Sequence, residues 1–189
     1  MKGLLLCLLL GNISTLVLSQ CRGGNTVRWR DPRGVTHNYL FSWENAATRG
    51  QELEWGSAQA TCRQYCMNLV SIETPGENNF IKQRIANARV RYIWTSGRKC
   101  NGCNLFNGWF WSGSGVRIGS ANNRANGDWS HTGGAGIPQP DNRENTPGLA
   151  GFRRGNEESC LSILNNFYGD GLKWHDVACY HVKPFVCEG

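Results

Sequence analysis

The sequence has little charge for its length. Charged side chains account for only 18% of the 189 residues, whereas 40% are hydrophobic, and this composition excludes an intrinsically disordered chain. The 20 Lys and Arg only modestly exceed the 14 Asp and Glu, for a net charge of +6, which is too small an excess for a dedicated nucleic-acid binder. The length fits one globular domain, since domains usually have roughly 100–200 residues.

The sequence also lacks an uninterrupted apolar run long enough to span a membrane. Residues 3–20 are uncharged, but polar residues such as Asn12 interrupt them, whereas a spanning helix needs about 20 mainly apolar residues. Lys2 before the apolar stretch, and a cleavage pattern at 17–19, indicate a secretory signal peptide over residues 1–19. We therefore expect a secreted, extracellular protein with no membrane insertion.

No residue pattern typical of an enzyme is visible. No nucleophile is paired with a histidine and an orienting acid, and the nucleophile elbow of hydrolases is absent, so we predict that the protein is not an enzyme. Of the nine cysteines, Cys7 lies in the predicted signal peptide. The density of the remaining eight fits an oxidising compartment, and we expect them to form structural disulfides: Cys21, Cys62, Cys66, Cys100, Cys103, Cys160, Cys179 and Cys187.

The hydrophobic pattern predicts two helices early in the chain. Apolar residues that recur at three- and four-residue steps predict a first amphipathic helix: Trp55, Ala58, Cys62, Tyr65, Cys66 and Leu69. The tetrapeptide 74–77, Thr-Pro-Gly-Glu, has a capping-box pattern that begins a second helix. One face of that helix is expected to be apolar: Phe80, Ile81, Ile85 and Ala88.

Short apolar and aromatic runs predict β-strands around a long irregular segment. The predicted strands are 39–43, 69–72, 92–94, 109–111, 160–164, 177–180 and 184–187. Residues 20–38 are expected to form an arm or hairpin before the core. Between about 112 and 158 the periodicity disappears, so this segment is either a functional loop system or disordered. Helices followed by short strands predict an α+β fold in one domain.

Several segments, taken in order and spacing, resemble the C-type lectin-like domain family. These segments are 69–72 (LVSI), 109–113 (WFWSG), 139–141 (QPD), 158–160 (ESC), 174–179 (WHDVAC) and 185–188 (FVCE). The resemblance implies a C-type lectin-like fold over residues 39–189, with two helices, short antiparallel sheets and a long loop. Residues 93–97 (IWTSG) and the additional Cys66 are similar to secreted arthropod members.

The same resemblance implies two disulfides, Cys62–Cys187 and Cys160–Cys179. The partners of the other four cysteines stay open, because eight cysteines allow 105 pairings. Cys66 lies one helical turn beyond Cys62 on the same side of the predicted helix. From there it is expected to reach the region of Cys100 and Cys103: the four unassigned cysteines are Cys21, Cys66, Cys100 and Cys103.

The resemblance further implies a calcium-dependent sugar site. Gln139 and Asp141 offer oxygen atoms on either side of Pro140, whose peptide bond is usually cis in the family, and calcium takes six to eight oxygen ligands. The family pattern adds Glu158 and Asp176 as calcium ligands. Bound calcium then accepts two adjacent sugar hydroxyls, which the ligand side chains also contact. The Gln-Pro-Asp order resembles members that prefer galactose-type sugars.

Two departures from the family pattern affect this site. His175 stands where the family has Asn, and its ring offers nitrogen, which suits transition metals better than calcium. If His175 takes part in calcium or sugar binding, we hypothesise that binding is pH-sensitive. The stretch after Asp141 is longer than usual, so Glu144 and Glu157 are alternative third ligands. Phe152, the one aromatic residue in that stretch, is a candidate for stacking on the sugar.

Other candidates have ordinary structural explanations. Four tryptophans in strand patterns are expected in the core rather than as sugar platforms: Trp94, Trp109, Trp111 and Trp174. Two groups of basic residues form either a solvated face or a surface for anionic glycans: Arg28, Arg30 and Arg33, and Arg89, Arg91, Arg98 and Lys99.

Together these observations predict a secreted, calcium-dependent lectin for galactose-type glycans. The resemblance implies innate immune recognition of microbial surface polysaccharide. Because one small sugar gives few contacts, an oligomer or several sites on one particle would supply avidity. The alternative is a calcium-independent protein-binding module with a degenerate sugar site.

Overall fold

The structure, a computed structural model, describes residues 20–123 and 125–189. The predicted signal peptide therefore lies outside the described residues. None of the helices in the described part has the length and apolar character needed to span a bilayer.

The described residues form two α-helices, one short 3-10 helix and eight β-strands. The helices are α1 (Trp55–Gln64), α2 (Pro75–Ala88) and the 3-10 helix Arg143–Asn145. The strands are β1 (Val27–Arg30), β2 (Thr36–Phe41), β3 (Asn68–Leu69), β4 (Tyr92–Lys99), β5 (Trp109–Trp111), β6 (Cys160–Asn165), β7 (Leu172–Val177) and β8 (Val186–Glu188). The predicted α+β class is thus confirmed.

The strands form two antiparallel four-stranded sheets. The first has the order β1-β2-β8-β3, and the second has the order β5-β4-β6-β7. In the first sheet Tyr39 lies opposite Glu188 and Phe41 opposite Val186, so the early strand β2 and the last strand β8 are neighbours. In the second sheet β7 pairs along all of β6, and this pair supports the loops described below.

Both predicted helices form, with corrections at their ends. In α1, Trp55, Ala58 and Cys62 are buried as predicted. The helix ends at Gln64, two residues before Cys66, whose φ of 57° is left-handed, so Tyr65, Cys66 and Leu69 are not helical.

The capping box of α2 is confirmed in its first half. Thr74 Oγ1 accepts a hydrogen bond from Glu77 N at 3.1 Å. Ile81 and Ile85 are fully buried, but Ala88 is exposed. The expectation for Ala88 was wrong because the last helical turn, which ends at the left-handed cap Arg89, extends beyond the buried face.

Several predicted strands have different bounds. Strand β2 covers Thr36–Phe41 rather than 39–43, β4 extends beyond 94 to Lys99, and β8 covers Val186–Glu188 rather than 184–187. In the predicted strand 69–72 only the first residue belongs to β3 (Asn68–Leu69). The predicted strand 177–180 begins earlier, as β7, and ends at Val177. Its partner β6 starts at Cys160, opposite Val177, so residues 178–180 have no strand to pair with.

The N-terminal arm is a hairpin built into the first sheet. Strand β1 pairs with β2, and Trp29 stacks on Phe80 of α2 with ring centroids 5.6 Å apart. The predicted division at residue 38 falls inside β2, so the hairpin and the rest of the domain share one sheet.

Four disulfides connect the eight cysteines of the described residues. Cys62–Cys187 and Cys160–Cys179 are the pairs that the family resemblance implies. Cys66 bonds to Cys21, and Cys100 bonds to Cys103. The expectation that Cys66 reaches the Cys100 and Cys103 region was wrong, because the chain leaves the helix before Cys66 and turns it towards the N-terminal segment.

The tryptophans fill the core, and the long irregular segment packs on them. Trp94, Trp109, Trp111 and Trp174 are all buried, as predicted. Trp129, from the long segment, is also buried and meets Trp174 edge-on at 6.0 Å. The backbone passes so close here that a Cβ on Gly127 (φ +92°) would overlap the Trp174 ring. The segment is therefore an ordered loop system seated on β7.

Candidate functional site

Three carboxylates from separate parts of the chain meet beside β7. Asp141 comes from the long loop, Glu158 lies two residues before β6, and Asp176 belongs to β7. One carboxylate oxygen from each lies within 4.8 Å of the others. The three side chains are buried, with exposed fractions of 8%, 3% and 3%. Burial of like charges at this distance is costly unless a cation or protons offset it.

Backbone hydrogen bonds hold these carboxylates in place. Asp141 N and Asn142 N donate to the two oxygens of Asp176 at 3.0 and 2.7 Å. Glu158 N donates to Asn142 Oδ1 at 2.9 Å, and the Gln139–Pro140 peptide bond before Asp141 is cis. Asn142 has left-handed φ and ψ of 46° and 42°. The loop thus folds back onto β7 and delivers Asp141 to Asp176.

Two oxygens of the group have no hydrogen-bond partner although they are buried: Asp141 Oδ2 and Glu158 Oε2. Burial, together with the neighbouring Asp176 and Asp141, raises the pKa of Glu158. Burial and Asp141 likewise raise the pKa of Asp176. Calcium, a hard divalent cation, binds oxygen donors with free lone pairs. A bound cation would also offset the mutual repulsion of the three carboxylates. The residues present fit this ion.

Gln139 and His175 lie beside the carboxylates. Both side chains are buried and line the same cavity as the three carboxylates. The His175 ring turns towards the β6–β7 turn, where its Nε2 lies 2.8 Å from Asp170 Oδ2. Burial lowers the pKa of His175, and the Asp170 charge opposes this. Its Nε2 is therefore engaged by Asp170 rather than by the carboxylate group.

The alternative third ligands lie elsewhere. Glu144 accepts hydrogen bonds from the Tyr180 hydroxyl at 2.7 Å and pairs with His181 Nε2 at 2.6 Å. Glu157 forms an ion pair with Lys99 Nζ at 2.7 Å. Neither belongs to the carboxylate group, so Glu158 is the glutamate that the structure places there. Phe152, the candidate for stacking, is 36% exposed and does not line the cavity.

The cavity above the carboxylates has a volume of about 420 Å³. Arg91, from one of the basic groups noted in the sequence, also lines the cavity, and part of the lining was not predicted from the sequence: Tyr92, Arg143, Phe167, Tyr168 and Lys183. Tyr168 lines the cavity, with its ring centroid 5.6 Å from that of His175. No short motif marks these residues, since they come from four distant segments. Only the three-dimensional pairing of β4, β6 and β7 brings them together.

A second cluster of possible metal ligands has a different character. His37, Glu77 and Glu188 also approach within 4.8 Å. Here every carboxylate oxygen has a partner: Tyr39 Oη and Glu73 N donate to Glu77, while Ser71 N and His37 contact Glu188. This cluster ties β2, α2 and β8 together as a closed hydrogen-bond network.

The comparisons with known proteins agree with this architecture. The family described as Lectin C-type domain matches residues 51–189. The chain belongs to the C-type lectin domain family. Members of this family are generally non-enzymatic binding modules. L-selectin from Bos taurus is 27% identical over 135 residues, which span 71% of this chain and 29% of that protein.

Solved C-type lectin structures share the fold at low sequence identity. The mouse scavenger receptor C-type lectin carbohydrate-recognition domain superposes with a TM-score of 0.58 at 19% identity, over 87% of this chain and 94% of that one. The C-type lectin domain of murine dendritic cell inhibitory receptor 2, in complex with an N-glycan, gives 0.54 at 17% identity, over 81% and 90%. The calcium-free form of a calcium-dependent type II antifreeze protein gives 0.52 at 22% identity, over 81% and 91%.

Proposed function

We propose that this C-type lectin domain binds glycans through calcium held by the buried carboxylate group. The observation that carries the proposal is the pair of unpartnered, buried oxygens, Asp141 Oδ2 and Glu158 Oε2. Buried polar atoms normally have hydrogen-bond partners, so two such atoms beside a third buried carboxylate indicate a ligand for them. Glycan binding is the activity that fits such a site in this family.

The residues divide into ligands and supports. Asp141, Glu158 and Asp176 supply carboxylate oxygens, and Gln139 supplies its amide oxygen. When bound, calcium provides coordination positions for two adjacent sugar hydroxyls. The same side chains hydrogen-bond those hydroxyls and set the preferred sugar. His175 supports the site from the side through its contact with Asp170.

The finer parts of the proposal rest on the family resemblance. The Gln139-Pro140-Asp141 order favours galactose-type sugars. The signal-peptide pattern over residues 1–19 and the four disulfides favour a secreted protein. We propose that it recognises glycans on microbial surfaces in innate immunity. Oligomers or multiple sites on one particle would raise the avidity of a small sugar site.

Two adjacent glutamates provide a matched test. Glu158→Gln removes one carboxylate of the group, whereas Glu157→Gln removes the partner of Lys99 and leaves the group intact. We expect Glu158→Gln to lower calcium affinity at least about tenfold, because ligand charge sets the strength of a calcium site. Glu157→Gln should retain it. Calorimetric titration with calcium measures both, and galactose–agarose retention with and without chelator measures sugar binding.

Equal calcium affinity in Glu158→Gln and the wild type would overturn this assignment. Retention on galactose that chelator does not release would overturn the calcium dependence.

The engagement of His175 by Asp170 favours one alternative. If the missing oxygen ligand at position 175 abolishes calcium binding, the same loops serve as a calcium-independent protein-binding surface. His175→Asn separates the two functions. In a working site it should strengthen calcium binding, since Asn adds a carbonyl oxygen. A wild type without calcium response and a His175→Asn variant that gains one would support the alternative.

A further inference from the structure

One part of the cavity lining combines cations with aromatic rings. This cationic wall consists of Arg91, Tyr92, Phe167 and Lys183. The Tyr92 and Phe167 rings are neighbours, with centroids 6.3 Å apart. Strand β4 carries Tyr92 and the end of β6 leads to Phe167, and the Tyr92–Leu164 pairing of these strands brings them together. The wall and the carboxylate group therefore share one cavity of about 420 Å³.

Lys183 is a buried cation without an acidic neighbour in contact. Its exposed fraction is 6%. Its Nζ lies 4.3 Å from the centroid of Tyr92 and 5.1 Å from that of Trp94. Among the described residues no carboxylate lies within ion-pair distance of it. Burial lowers the pKa of Lys183 to about 8, which reflects the cost of holding this charge away from water. An anion in the cavity would offset that cost.

Arg91 adds a second cation at the mouth of the same wall. Its guanidinium lies 5.2 Å from the centroid of Phe167 and 5.9 Å from that of Tyr92. Its carbonyl oxygen accepts a hydrogen bond from Asn165 N at 2.8 Å, which fixes the backbone beside β6. A guanidinium stacked on a ring keeps its edge free for carboxylate, sulfate or phosphate oxygens.

The acidic residues nearby are engaged by other groups and offset the burial of Lys183 only in part. Glu144 lines the cavity, but its oxygens contact Tyr180 and His181. Glu52, which with Glu144 opposes the lowering of the Lys183 pKa, accepts a hydrogen bond from the Tyr92 hydroxyl at 3.3 Å. The charge of the carboxylate group is largely offset once a divalent cation is bound there. The same cavity therefore contains a site for two neutral sugar hydroxyls and a site for an anionic group.

We propose that the protein prefers glycans that carry an anionic substituent, with the sugar diol at the carboxylate group and the sulfate or carboxylate at the cationic wall. This inference rests on the proposed function and adds the substrate class. A sulfated or uronic acid residue of the galactose series has the required chemistry. Aromatic rings of the wall would contact the apolar face of the sugar.

Three sugars that share one diol test the preference. Galactose, galactose 6-sulfate and galacturonic acid differ at carbon 6, and calorimetry in calcium at low salt gives their affinities for the full chain. We expect one or both anionic sugars to bind about tenfold more tightly than galactose, as charge-assisted hydrogen bonds allow. The gain should shrink at high salt. Comparison of galactose 6-sulfate with galacturonic acid shows which anion the wall accepts.

Matched variants connect the preference to the wall. Lys183→Met and Arg91→Met should each reduce the anionic preference, which is the affinity for the anionic sugar divided by the affinity for galactose, towards one. Arg63→Met is the control, because Arg63 is an exposed arginine of α1 outside the cavity. Equal affinities for all three sugars would overturn the inference, as would a preference that survives in both wall variants.

Failure of the proposed function has a different signature. Galactose would then show no calcium-dependent binding. Binding of the anionic sugars in chelator that depends on Lys183 and Arg91 would still support the anion site. Its absence under those conditions would overturn the anion site as well.

Discussion

Calcium should raise the unfolding temperature of this protein, and the rise should grow with pH. The physical reason is the group formed by Asp141, Glu158 and Asp176. Because the pKa values of Glu158 and Asp176 are raised in the folded protein, the calcium-free folded state binds more protons than the unfolded state. The contribution of these two carboxyl groups to stability is fully present below about pH 4, the ordinary carboxyl range. It is lost as the pH rises through their raised pKa values.

If the proposed function is correct, calcium reverses this loss, because it would bind the deprotonated carboxylates and displace their protons. A ligand at 100 times its dissociation constant stabilises the folded state by about 2.7 kcal/mol. For a chain of this size each kcal/mol corresponds to roughly 2–4 °C in unfolding temperature. The expected shift is therefore about 5–11 °C at pH 8 and close to zero at pH 4.5.

Differential scanning fluorimetry with calcium and with chelator, from pH 4.5 to 8, measures this shift. Glu158→Gln should lose most of it, and Glu157→Gln should keep it. In chelator at pH 8, Glu158→Gln should be more stable than the wild type, since one repelling charge is gone. A wild type with the same shift at both pH values, or Glu158→Gln with the full shift, would refute the reasoning.

Two further predictions concern the scaffold. Gly127→Ala should lower the free energy of unfolding by about 2 kcal/mol or more, because the new Cβ meets the Trp174 ring and this overpacking adds to the strain of a left-handed backbone. Gly136→Ala is the control, since Gly136 also has a positive φ but its Cβ would lie in open space. The difference between the two variants in chemical denaturation gives the steric part. The lowered pKa of Lys183 means that the folded state releases its proton first, so wild-type stability should rise from about pH 8 to 10.5. Lys183→Met should lack that rise, and a parallel pH profile of the two proteins would contradict it.

The resemblance to C-type lectin-like domains implied that Asp141, Glu158 and Asp176 share one site, and the structure brings them together. Asp141 comes directly after Pro140, and Glu158 stands two residues before a disulfide-bonded cysteine. The antiparallel pairing of β6 with β7 places Cys160 opposite Val177 and so brings Glu158 near Asp176. The orientation of His175 was not predictable, since it depends on Asp170 across the β6–β7 turn.

The sequence singled out Arg91 within a basic group that could bind anionic glycans, but it did not predict that Arg91 meets Lys183, and two of the disulfides were missed for a related reason. Arg91 and Lys183 are separated by more than 90 residues and carry no periodic signal. Their meeting is decided by strand register and by packing on Tyr92. Cys66 was misjudged because the pattern of the first helix continued past Gln64, where a left-handed residue breaks it. Local periodicity contains no information about which distant segment a cysteine beyond the helix end will meet.

Two of the disulfides have a mechanical consequence. Tension applied at residues 20 and 189 would pass from Cys21 to Cys66 and from Cys62 to Cys187, with only the short segment 62–66 between the two bridges. The paired strands β2 and β8, in which Tyr39 lies opposite Glu188, would therefore carry little of the load.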